Sequence, residues 1–148
     1  MLKKRLLILS TLTIMIVIFW FSSQTGSESG GLSESIMADI LRIFVDLDKM
    51  SVSEQIELIE GYDSYLRSFA HMFVFFLLGL SFSSLMIEYD VKKYIVISLV
   101  FCLFYSITDE LHQLIFTLNR SGELVDVIKD FIGSSIAVFL VAKFSVKK

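Results

Sequence analysis

Proline is absent from this sequence, cysteine and tryptophan occur once each, and histidine occurs twice. Without proline, no helix need be kinked by that residue's fixed ring and missing N–H. Cys102 stands alone within an apolar run, so neither an internal disulfide nor a cysteine-based metal site can form. Charge is also thin. Only 20% of residues are charged, the net charge is −3 and there is no basic stripe, so nucleic acid is not an expected partner. What remains is apolar: hydrophobic residues make up 55% of the 148, and the mean hydropathy is +0.73. A soluble domain of this size cannot hide that much apolar side chain, so lipid is the expected solvent.

Four apolar runs stand out: Leu6–Phe21, Met72–Ile87, Tyr94–Thr108 and Phe131–Ala142. Each is shorter than the ~20 residues that cross a bilayer, so each span must take in polar residues at one end. Lysine and arginine give the direction. Lys3, Lys4 and Arg5 precede the first run, Lys92 and Lys93 separate the second from the third, and Lys143, Lys147 and Lys148 follow the fourth. With these eight inside and Arg42, Lys49, Arg67, Arg120 and Lys129 outside, both termini are cytoplasmic by the positive-inside rule. A cleaved signal peptide is the rival reading of the first run. Ser22-Ser23-Gln24-Thr25-Gly26 offers no A-x-A-like cleavage site, so a retained helix is expected. The expected fold is all-α, one membrane domain over residues 1–148. Its four-helix bundle has spans at about 6–25, 66–87, 92–113 and 125–144.

The segment at about 26–65 is the sizeable piece outside lipid. Ser27–Gly31 reads as a glycine/serine turn. Ile36, Ile40, Ile43, Phe44 and Leu47 then recur at helical spacing, opposite Asp39, Arg42 and Asp46. Ser51-x-x-Glu54 has the form of a capping box that opens a second short helix. The pair is expected to form an amphipathic helical cap at the membrane surface between helices one and two.

Counting each span from its cytoplasmic anchor places polar residues of all four helices at one depth. Helix one ends on Ser22, Ser23 and Gln24, helix two begins near Arg67 and His71, helix three ends on Asp109, Glu110, His112 and Gln113, and helix four begins with Asp126, Lys129 and Asp130. Charge at that depth is costly unless it is paired or faces a cavity, so the default reading is a functional site. Arg67 and His71 share a helix face, as do Asp109 and Gln113, and Asp126 and Asp130. Gly133, Ser134, Ser135 and Ala137 are small enough for close helix packing below the cluster.

At these residues the sequence resembles the VanZ-like family of small bacterial membrane proteins. The resemblance is carried by Phe21-Ser22-Ser23-Gln24, by Arg67-Ser68-Phe69-Ala70-His71 with Leu78-Gly79, by Asp109-Glu110-Leu111-His112-Gln113 with Phe116 and Arg120, and by Asp126-Val127 with Asp130 and Gly133. Ser68 stands where that family usually has lysine, Phe75 where it often has tyrosine, and the loop before Arg120 lacks the usual proline-glycine. The resemblance implies a location in the bacterial plasma membrane and a link to glycopeptide (teicoplanin) resistance. It implies no established reaction.

The candidate residues admit several chemistries. His71, Asp109, Glu110 and Asp126 are the types that acid/base catalysis uses. Ser22, Ser23, Gln24, Arg67, His112, Gln113, Arg120 and Asp130 are candidates to hold a ligand, with Arg67 and Arg120 suited to a phosphate or carboxylate. The His and carboxylate types also suit a divalent metal, although H-E-x-x-H is absent and the metal reading is not the favoured one. The favoured function is binding or modifying a membrane lipid or cell-wall precursor with this polar cluster at the outer face. The alternatives are a metal- or acid/base-dependent membrane hydrolase or transferase, and a non-catalytic scaffold. Oligomeric state is left open.

Overall fold

The computed structural model describes residues 1–24, 26–116 and 124–145. Among them the regular elements are all helical: α1 (Leu2–Ser22), α2 (Gly26–Phe44), a 3-10 turn (Leu47–Lys49), α3 (Val52–Glu88), α4 (Tyr94–Phe116) and α5 (Leu124–Ser145). α1, α3 and α4 are each long and apolar enough to cross a membrane. α5 is 22 residues long and carries Asp126, Lys129 and Asp130 in its first two turns and Lys143 in its last; it is not among those three. It still turns Ile132, Ile136 and Phe139 outward, as α1 does with Leu9 and Ile16 and α4 with Val100 and Phe104. An apolar belt on every long helix is surface that lipid solvates well and water does not.

Inside the belt, Ile18, Phe75, Leu78 and Cys102 form the core. Small hydroxyls, among them Thr11, Ser81, Ser83, Ser98 and Ser134, are buried beside it. Thr11 and Ser81 share a 2.9 Å hydrogen bond between α1 and α3, and Ser83 donates to the Gly79 carbonyl at 2.6 Å. Such residues let helices approach closely where burial from water supplies no attraction. α1 and α3 run antiparallel, since Lys3 pairs with Glu88 at 2.6 Å at one end of the bundle. The other end therefore holds the C-terminus of α1, residues 67–71 of α3, the last turns of α4 and the first turns of α5.

The outer segment differs from the sequence expectation in two ways. The capping box is present: Ser51 Oγ accepts from the Glu54 amide at 3.4 Å, and Glu54 Oε2 accepts from the Ser51 amide at 2.8 Å. It opens a long helix, because α3 runs on from Val52 through the second span without a break. At 37 residues α3 is roughly 55 Å long, against a hydrocarbon core of about 30 Å, so one end projects beyond the lipid. Gly61 alone is too weak a breaker to stop it. The expected turn at Ser27–Gly31 is likewise helical, part of α2. Packing on α3, with Ser33 and Met37 buried, offsets the roughly 1 kcal/mol that each glycine costs in a helix.

Two glycines set the α3–α5 spacing. A β-carbon at Gly79 would stand 2.6 Å from the Ser134 carbonyl oxygen, and one at Gly133 would overlap the Met72 carbonyl oxygen. Gly133→Ala is therefore expected to lower stability by about 1–3 kcal/mol, the usual cost of overpacking. Gly61→Ala adds a methyl that meets nothing within 4 Å and should raise stability by about 0.5–1 kcal/mol. Circular dichroism melts of the two variants in one detergent compare them. Equal effects would contradict the close approach.

Candidate functional site

α3, α4 and α5 each send one titratable side chain to a common point. One ligand-type atom each from His71, Asp109 and Asp130 lie within 4.8 Å of one another. The sequence placed these residues at one depth, and the fold brings them into reach. Ser106, one turn before Asp109 on α4, donates to Asp130 Oδ2 at 3.3 Å. Gln113 Nε2 donates to Asp109 Oδ2 at 2.9 Å and reaches Glu110 Oε1 at 3.4 Å. Asp109, Glu110, Gln113 and Asp130 are all buried. Asp130 is fully so, and its Oδ1 has no hydrogen-bond partner among the described residues.

The other candidates take separate places around this centre. Ser22 Oγ donates to the Asp109 backbone carbonyl at 3.4 Å and ties α1 to α4. His112 lies in the α1–α4 seam, 3.1 Å from Ser23 Oγ, with the Phe19 ring centroid at 4.7 Å and that of Phe116 at 5.2 Å. Asp126 accepts from Lys129 Nζ at 2.7 Å, and the same ammonium donates to Ser68 at 2.9 Å. Arg120 lies outside the described residues.

Arg67 has a partner that sequence reasoning did not select. Its guanidinium bonds Asp63 Oδ2 at 2.9 Å, and the Asp63 side chain is only 4% exposed. The signal is in the sequence, since Asp63 stands at i−4 from Arg67, although Asp63 falls in the segment expected outside lipid. Ser106 was missed as a hydroxyl in an apolar run. Ser68 was noted only as a departure from the resembled motif, yet it fixes Lys129.

Beside the centre lies a cavity of about 280 Å³ between α1, α2 and α3. Ile18, Phe21, Leu32, Ile36 and Val74 give it apolar walls, and Gln24, Ser33, Arg67 and His71 supply its polar groups. Buried Gln24 Oε1 has no hydrogen-bond partner among the described residues. His71 thus belongs to both places: it lines the cavity and reaches Asp109 and Asp130. A space with greasy walls, a guanidinium and an imidazole is shaped for an amphiphile with an acidic or strongly polar head.

A family model described as VanZ/LLP1 matches residues 7–145. No curated protein and no solved structure matches the chain.

Proposed function

The chain belongs to the VanZ/LLP1 family, and from that premise we propose that it is a cell-envelope membrane protein that binds a lipid-linked, anionic envelope component at the outer membrane face. The cavity carries this reading. Its apolar walls suit a hydrocarbon chain, and Arg67 beside Gln24 and His71 suits a phosphate-bearing head. A ligand of this kind enters from the membrane, which explains a binding space whose walls are mostly apolar. By the resemblance, the outcome for the cell is altered susceptibility to glycopeptides such as teicoplanin.

In this reading the protein sits in the bacterial plasma membrane with both termini cytoplasmic, and α2 covers the cavity from the outer side. Ile43 and Phe44 on α2 are strongly exposed, as befits a helix lying in the membrane interface. Cysteines at Ser35 and Glu57, in a Cys102→Ala background, should react with a membrane-impermeant thiol reagent on intact cells. A cysteine at Asp90 should not. Labelling at Asp90 from outside would invert the topology and remove the outer-face assignment.

The ligand class is tested by comparing a long-chain isoprenyl phosphate with the corresponding alcohol on the purified protein. A charge-assisted contact to Arg67 predicts about tenfold or tighter binding of the phosphate. Equal binding of the two would leave the polar end without a role.

A further inference from the structure

Beyond the lipid reading, His71, Asp109 and Asp130 carry a second one. Their donor atoms, one per helix, lie within 4.8 Å of one another in a largely buried setting. Asp130 has no exposed surface and brings to this group a carboxylate whose Oδ1 lacks a hydrogen-bond partner among the described residues. A buried carboxylate half satisfied in this way is costly unless a proton or a cation completes it. Among the described residues, Lys129 bonds Asp126 and Arg67 bonds Asp63.

We propose that His71, Asp109 and Asp130 form a binding site for a divalent transition-metal cation, Mn²⁺ or Zn²⁺. One imidazole and two carboxylates suit these ions better than Mg²⁺ or Ca²⁺, which favour oxygen alone. Ligands about 2.1 Å from a tetrahedral ion stand roughly 3.4 Å apart, so the three donors, now within 4.8 Å of one another, would draw in by about an ångström on binding. The outer-shell hydrogen bonds that orient metal ligands are also in place. Gln113 holds Asp109 at 2.9 Å, and Ser106 holds Asp130 at 3.3 Å. Three protein ligands leave a coordination position open, and His71 places it beside the cavity. The cation claim needs no lipid and stands or falls separately from the lipid reading.

The test uses the full-length protein in detergent, stripped with EDTA and returned to Mn²⁺ or Zn²⁺ alone. Metal content after desalting and the melting temperature are the readouts. One equivalent per chain and a higher melting temperature are expected. Asp130→Asn keeps the shape and loses the charge, and should weaken metal affinity more than ~100-fold. Gln113→Leu, which removes only an outer-shell partner, should cost ~10–100-fold. Glu88→Gln, at the opposite end of the bundle, should bind as the wild type does. If Asp130→Asn does not fold, Asp109→Asn is read in its place. A folded wild-type protein that takes up neither ion overturns the proposal. So does an Asp130→Asn or Asp109→Asn variant that binds as tightly as wild type, or a Glu88→Gln variant that loses the metal equally.

Discussion

Arg67→Gln is expected to cost the protein both stability and its ligand, and Asp63→Asn in the same chain is expected to restore only the stability. The Asp63 carboxylate is 4% exposed and bonds the Arg67 guanidinium at 2.9 Å, while Arg67 itself is 42% exposed. Removing the guanidinium strands a buried charge. In a fully buried pair that costs about 3–5 kcal/mol, and the partial exposure of Arg67 brings the expectation down to about 2–3 kcal/mol. Neutralising Asp63 as well removes the stranded charge, and an Asn–Gln pair can still hydrogen-bond. The double variant should therefore melt near the wild-type temperature. It lacks the cation that meets the head group, so binding of an isoprenyl phosphate should stay lost. Melting curves and ligand titrations on the wild type, both single variants and the double variant form a complete cycle. A double variant that regains ligand binding would show that Arg67 only balances Asp63 and never touches the ligand.

The long helices were legible because lipid demands long apolar runs, and runs of that kind leave few alternatives. α1, α4 and α5 each lie within a few residues of the expected spans. The joining of the outer helix to the second span was not legible. Gly61-Tyr62-Asp63-Ser64 falls at the end of the segment expected outside lipid, yet in the fold it lies within the unbroken α3, where Asp63 can face Arg67 one turn on. Spacing along a helix says which residues share a face. It does not say which neighbour that face meets. Asp109 and His112 stand three apart on α4. Asp109 turns toward His71 and Asp130, while His112 turns to Phe19 and Ser23 of α1. For the same reason the sequence leaves open which groups balance the acids. It could not show that Arg67 and Lys129 would go to Asp63 and Asp126, or that Asp130 would stand beside a histidine. The cavity was invisible for a different reason. It arises from three helices that do not touch along their full length, and no single segment records that gap.

Ala70→Trp is expected to abolish ligand binding with little loss of stability. Ala70 lines the cavity and is exposed to that space, not packed against a neighbouring helix. An indole there occupies the volume that a hydrocarbon chain would enter, and it sits among Phe21, Phe73 and Val74, which tolerate an aromatic ring. Filling an open space does not incur the overpacking that a tight core imposes. The melting temperature should therefore hold or rise, and the titration with isoprenyl phosphate should become flat. Unchanged affinity in the Ala70→Trp protein would move the binding site out of the cavity. The Ala70→Ser variant, which adds one small polar atom, serves as the control and should bind nearly as the wild type does.

The central claim is that the space between α1, α2 and α3 holds the hydrocarbon part of an anionic envelope lipid. Photo-crosslinking tests it most directly, with an isoprenyl phosphate carrying a diazirine in its chain, applied to the protein in native membranes and mapped by peptide mass spectrometry. The expected adducts fall on Ile18, Leu32, Ile36 and Val74, which face the cavity, and they disappear when excess unlabelled isoprenyl phosphate is present. Adducts confined to the outward residues Ile132, Ile136 and Phe139, insensitive to that competitor, would show a chain that merely bathes the protein and would contradict the account.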